Sequence, residues 1–229
     1  MGRASRKQLA LPLRRRGPGG RRPNAGRKKT LKGSRVPHRT RDALASRHPV
    51  HVTMKLRRNL GNLRAKTKVK VIRGAITKCR ERNGGRVVQW SVQRDHIHLL
   101  VEAHGAPALA KAMQGLSICI ARRLNRALGR RGPAFQDRYH AHILKTPREV
   151  RHALAYVLNN ARRHAAQRGL KLPRTFVDPC SSAAHFDGWK NPPDLPEHDP
   201  PPVAPPRTWL LSTGWRRHGL ISQAETPGR

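Results

Sequence analysis

Apolar and polar positions along this chain change rhythm several times, and each rhythm predicts an element. HVTMKL at His51–Leu56 alternates, the period of a half-buried strand. Val69, Ile72, Ile76 and Cys79 then recur three or four residues apart, which predicts a helix ended by Asn83, Gly84 and Gly85. RVVQWSVQRD and HIHLLVEA read as two successive strands rich in Val, Ile, Leu and Trp, with Gln93, Arg94 and Asp95 supplying the turn. Pro107 opens a long helix whose apolar stripe is Leu109, Ala112, Met113, Leu116, Ile120, Leu124 and Leu128, and Gly129 and Gly132 stop it. YHAHILK predicts a fourth strand, and a last helix follows with Thr146 as N-cap, Pro147 at its first position and Glu149 completing a capping box. The resulting order is an α+β fold: a ferredoxin-like antiparallel sheet with helices on one face, plus an added C-terminal helix. Such a fold hosts many functions, so function has to come from its side chains.

Composition narrows the partners. Lys and Arg number 49 against 12 Asp and Glu, and a compact fold carrying +37 repels itself unless a polyanion is its usual partner. Nucleic acid is the expected partner, with a membrane surface as the alternative for such charge. No apolar run reaches the roughly 18 residues that spanning a bilayer requires, and no signal-peptide core stands near the N-terminus, so a cytoplasmic protein without a membrane partner is expected. Residues 1–48 hold 16 Lys or Arg and one acid, Asp42, which predicts a disordered basic arm. Within it GGRRPNAGRKK resembles segments that lie in a DNA minor groove. The main domain is expected over 49–188, a stiff proline-rich linker over 189–206, and a short tail over 207–229 that folds only against the main domain or DNA.

Three separated cysteines, Cys79, Cys119 and Cys180, form neither a disulfide framework nor a zinc ribbon and read as small buried hydrophobes. Aromatic residues make up only 4%, too few stacking platforms for a general single-strand coat protein. Acids in the central region are scattered (Asp95, Glu102, Asp137, Glu149), which argues against a nuclease with two carboxylate-held metals.

His96 and His98 stand two apart on a strand, so both imidazoles leave one face with alpha carbons roughly 6.6 Å apart, a spacing that suits two ligands of one metal or two solvated surface histidines. Ile97, Leu99 and Val101 point the other way, toward a core. Glu102 shares the histidines' parity and is either an acceptor fixing an imidazole tautomer or a charge at the strand's end. On the last helix Val150, Leu154, Val157, Leu158, Ala161 and Ala165 form the apolar stripe, while Tyr156 lies off it with His152 one turn before and Asn160 one turn after. Such a tyrosine is either surface decoration or a nucleophile that needs a metal or base beside its target, since a free phenol has a pKa near ~10. Asn160 is available as a third ligand, and two imidazoles plus an amide oxygen leave octahedral positions open, as Mg or Mn prefers. His140 and His142 are a rival pair, and Tyr139 reads as a packing or stacking residue.

VVQWSVQRD with HIHLLVEA, and the later FQDRYHAHILKTPREVRHALAYVLNNARRH, resemble the REP-associated tyrosine transposases, relatives of the smallest insertion-sequence transposases of the HUH type. The likeness covers about residues 49 to 178. It implies that His96 and His98 bind a divalent metal, that Tyr156 is the nucleophile of a tyrosine-x-x-x-asparagine pattern ending at Asn160, and that the substrate is single-stranded DNA with hairpins. The reaction it implies is transesterification through a 5′-phosphotyrosine, by an enzyme of the bacterial nucleoid that works alone or as a homodimer. Arg122, Arg123 and Arg126 of the long helix, with Arg148, Arg151, Arg162 and Arg163, then form the backbone track. Family members often have Asn-Pro after the tyrosine; Asn160-Ala161 stands here, and the last helix is expected to continue uninterrupted. The competing reading is a basic DNA- or RNA-binding protein of the same fold without catalysis.

Overall fold

The computed structural model of the protein describes residues 43–194 and 201–228. Residues 1–42 of the expected arm, with its GGRRPNAGRKK segment, and residues 195–200 of the expected linker lie outside the described residues.

Strands β1 (Val50–Lys55), β2 (Glu81–Arg82), β3 (Gly85–Val92), β4 (His96–Ala103) and β5 (His140–Ile143) form one antiparallel sheet in the order β2-β3-β4-β1-β5. The four longer strands follow the expected ferredoxin-like arrangement, and β2 is a short addition on the outside of β3. Helices α1 (Lys66–Cys79) and α2 (Ala106–Ala127) cover one face. Their Ile72, Ile76, Met113, Leu116 and Ile120 pack against Val52, Trp90, Ile97, Leu99 and Val101, so the odd positions of β4 point into this first core as the alternation requires. A register shift between Val87 and Gln89 inserts one residue in β3, and Val87 and Trp90 thereby both reach the first core while Val88 joins the second.

The opposite face carries α3 (Pro147–Leu158), whose Val150, Leu154, Val157 and Leu158 pack with Val88, Leu100 and Leu144. The capping box is present: the Thr146 hydroxyl accepts from the Glu149 N–H, and the Glu149 carboxylate accepts from the Thr146 N–H. The helix does not continue through Asn160 as the sequence suggested. It stops at Leu158, Asn159 takes φ −102° and ψ 17°, and α4 (Asn160–Gln167) starts afresh. The physical cause is lateral: the Asn159 side-chain amide donates to the carbonyls of Ser222 and Glu225, and the Arg162 guanidinium donates to the carbonyl of Gln223, so the C-terminal segment holds the backbone out of helical register.

That segment completes the second core. Leu210 and Leu211 of the single-turn α5 (Trp209–Ser212), Trp215 of the following 3-10 turn, and Ile221 are buried with Phe186 and Trp189 against α3. Ile221 bridges Trp189 in parallel. Glu102 is a charge near the end of β4, and it is buried. It pairs with Arg86 and accepts from the Arg207 and Thr208 N–H groups and the Thr208 hydroxyl, fixing the start of α5. The outer edge of β3 is closed by the chain around Cys180–Ser182 and by the Ala204 N–H donating to Val87. Cys79, Cys119 and Cys180 are free and half-buried.

Candidate active site

Pairing within the sheet gathers histidines from three strands. His98 stands opposite Thr53, His51 opposite His142, and Thr53 opposite His140, so these side chains share the α3 face of the sheet with His96. His98 is buried at the centre. Its Nε2 lies 3.0 Å from Nε2 of His96, and its Nδ1 lies 3.1 Å from Nε2 of His51 and 3.2 Å from the Thr53 hydroxyl. His96 Nδ1 is 2.7 Å from an Asp95 carboxylate oxygen. The carboxylate fixes the proton of His96 on Nδ1 and leaves its Nε2 lone pair turned toward His98.

Electrostatics keep His98 and His51 uncharged. Burial, then the neighbouring His51, His96, His164 and Arg163, push His98 down to about 2. Burial, then His142, His140 and His96, push His51 down to about 4. Both are neutral imidazoles at physiological pH, the form that ligates cations.

Tyr156 of α3 meets the cluster from above. Its ring is 5.1 Å from that of His98 and 5.7 Å from that of His51, both edge-on, and the Arg163 guanidinium stands 5.1 Å from the tyrosine ring centre. A cavity of about 470 Å³ opens beside it, lined by His51, His142, Glu149, His152, Arg163 and Tyr156 among others. Asn160 is fully buried, and neither atom of its amide has a hydrogen-bond partner, the histidines included. An unpartnered buried amide costs about 1–3 kcal/mol.

The arginines separate. Arg122, Arg123 and Arg126 line a groove of about 670 Å³ between α1 and α2 with Lys78 and Arg82, on the face of the sheet away from Tyr156. Arg148 is exposed and Arg163 half-buried on the Tyr156 side. Arg151 and Arg162 are engaged within the fold: Arg151 binds the Glu225 carboxylate and the carbonyls of Gly219 and Leu220, and buried Arg162 donates to carbonyls of Leu172, Pro173 and Gln223. A single track through all seven is therefore not formed. The rival histidines, His140 and His142, are exposed on the edge strand β5, and the ring of Tyr139 packs at the margin of the first core.

His51 and Thr53, which orient His98, do not stand out in the sequence. Their alternation in HVTMKL places both on the polar face of β1, but their partnership with His98 depends on the β1–β4 register, which alternation alone does not fix.

The model of the family described as transposase IS200 like matches residues 45–160. The chain belongs to this family. Among solved structures, a REP-associated tyrosine transposase bound to a REP hairpin aligns with 64% of this chain and 82% of its own at 18% identity and a TM-score of 0.49. A putative transposase from Deinococcus radiodurans aligns with 58% of this chain and 94% of its own at 17% identity and a TM-score of 0.34. No curated protein matched the chain.

For an IS200-like transposase the question is whether these residues fit a divalent cation. Adjacent ligands of an octahedral ion at 2.0–2.1 Å are about 3 Å apart, and the two imidazole Nε2 atoms stand at 3.0 Å. The cluster can release both lone pairs by moving one proton, because His98 Nδ1 has the Thr53 hydroxyl and His51 as alternative acceptors for its N–H. The amide of Asn160, four residues after Tyr156, is buried without a hydrogen-bond partner and carries an oxygen of the type such an ion takes. Among the described residues no three His, Cys, Asp or Glu side chains form a metal-binding group. The donor set fits Mg or Mn held by few protein groups with positions left for phosphate oxygens.

Proposed function

We propose that this transposase-family protein cleaves and rejoins single-stranded DNA at hairpins, as a REP-associated tyrosine transposase of the HUH type, with Tyr156 as nucleophile. The observation that carries the reading is convergence: Tyr156 packs its ring on His98 at 5.1 Å, and His98 faces His96 at 3.0 Å, although α3 and β4 are far apart in the chain. Packing alone needs neither a half-buried phenol on this helix nor two buried-facing imidazoles beneath it.

His96, His98 and Asn160 would hold Mg or Mn, which when bound supplies positive charge to the scissile phosphate. Asp95 and the His51–Thr53 pair hold the two imidazoles in the required tautomer and orientation. The Tyr156 oxygen forms a bond to phosphorus, the bond to the DNA 3′ oxygen breaks, the phenol proton passes to water and the departing 3′ oxygen gains a proton. The product is a 5′-phosphotyrosine, from which a second 3′-hydroxyl reseals the strand without an external energy source. Arg163, over the tyrosine ring, and Arg148 contact phosphates on this side, while Arg122, Arg123 and Arg126 hold backbone on the other face. Such an enzyme acts on the bacterial nucleoid; no helix among the described residues is long and apolar enough to cross a membrane.

The test is incubation of the full chain with labelled single-stranded hairpins and Mn. A denaturant-resistant protein–DNA adduct is expected, and its absence across a broad hairpin panel, with tight binding retained, would favour a binding-only protein.

A further inference from the structure

We propose that Trp209 and Arg217 form a stacking seat for one unpaired base of a single DNA strand, on the C-terminal segment and apart from Tyr156. The inference rests on the DNA-processing reading above and assigns it a second contact. Four tryptophans occur in the chain, and Trp90, Trp189 and Trp215 are buried in the two cores. Trp209 is 49% exposed. In α5 the packing is done by its neighbours Leu210 and Leu211, so the indole is not needed to seat the turn. It is nevertheless held still. The six-membered ring lies on Gly214, where a Cβ would come within 2.7 Å of a ring carbon, so only glycine permits the approach. The Arg217 guanidinium stands 4.9 Å from the ring centre.

The surroundings favour a nucleic acid over an apolar partner. Arg217 and His218 are exposed, Arg216 is half-exposed against Asp187, and the Arg207 side chain is 66% exposed beside Glu81. An exposed indole with a guanidinium over its ring is the pairing that binds single strands, with the base on the ring and the guanidinium on a phosphate. In the seat, a base takes the place of the Arg217 guanidinium above the indole, and Arg217 moves to the adjacent phosphate. The seat is rigidly related to the sheet, because the Arg207 and Thr208 N–H groups are clamped on Glu102. Glu102 is six residues along β4 from His96, which places the seat's anchor about 20 Å from the candidate catalytic face. One strand can reach both.

The full-length chain is titrated with a hairpin oligonucleotide carrying a single-stranded tail, reading tryptophan emission and its quenching by iodide. Wild type has one quencher-accessible tryptophan, which the tail shields; the same hairpin with an abasic tail does not shield it. Trp209→Ala removes the accessible component and weakens tailed-hairpin binding about tenfold, Trp209→Phe restores part of the affinity, and Arg217→Ala weakens it less. Shielding by the abasic tail equal to that by the normal tail would overturn base stacking, and unchanged affinity in Trp209→Ala would overturn the seat. Adduct formation at Tyr156 on the hairpin with the abasic tail, which keeps a single-stranded backbone but offers the seat no base, is measured in parallel and is unchanged in Trp209→Ala. If wild type forms no adduct while the tail still shields Trp209, the catalytic reading fails and the seat stands; an adduct without shielding gives the converse.

Discussion

Among single residues, the proposed chemistry turns on how His98 is held. Both of its ring nitrogens are in use, Nε2 toward His96 and Nδ1 toward His51 and Thr53. His98→Ala and His96→Ala should each abolish cleavage while hairpin affinity stays within a few fold, since neither residue is one of the arginines proposed to hold phosphate; gel-shift and cleavage assays on the same samples decide this. His51→Phe keeps the bulk and loses the hydrogen bond. It should lower Mn affinity or cleavage by about 10- to 100-fold, the usual cost of removing a group that orients a metal-binding histidine. Calorimetric titration with Mn reads the first, and near wild-type values for both would mean that His51 only packs. That His96 and His98 share one strand face and that Tyr156 lies off its helix's apolar stripe is readable in the sequence, because parity and helical spacing are local properties; the roles proposed for them come from the resemblance. His51 is not readable in this way, because it gains its meaning from the pairing of β1 with β4 and with β5.

Among the elements, α3 decides the geometry, and its surroundings are the least legible part of the chain. Its start is written locally, in Thr146, Pro147 and Glu149. Its end is not: Asn159 breaks the helix by bonding carbonyls more than sixty residues away, and no periodicity reports such a partner. Asn159→Ala should therefore cost about 1–2 kcal/mol from two missing hydrogen bonds onto an ordered segment, seen as a lower urea midpoint without a change of slope. Glu102→Ala should cost more, about 3 kcal/mol, since it leaves the buried Arg86 without its buried partner and frees the start of α5. A Glu102→Ala variant as stable as wild type would show that the C-terminal segment is not anchored through β4. The apolar stripes of α1 and α2 and the strand alternation are readable because each element buries one face. The buried roles of Leu210, Trp215 and Ile221 are not, because each lies in a segment too short to show a period.

For the whole molecule, part of the positive charge lies away from the proposed chemistry. The +37 charge implies a polyanion partner, yet the arginines split between a groove beside α2 and the rim around Tyr156, so binding and cleavage should be separable. Replacing Arg122, Arg123 and Arg126 together by Ala should reduce the slope of log affinity against log salt by about 2 to 3, at about 0.7–0.9 for each phosphate no longer neutralised, and leave the cleavage position unchanged; a shifted cleavage position would mean that this groove sets register. Catalysis as proposed depends above all on Tyr156 being the covalent nucleophile. The decisive measurement is mass spectrometry of the adduct trapped on a Mn-supplemented hairpin, with Tyr156→Phe and Tyr139→Phe alongside. The half-buried phenol makes Tyr156→Phe a mild change to the fold, so the variant should still bind hairpins within a few fold and form no adduct. Wild type and Tyr139→Phe should carry the nucleotide on the peptide containing ALAYVLNN; an adduct from Tyr156→Phe, or a nucleotide on the Tyr139 peptide of wild type, would show that the nucleophile is another group.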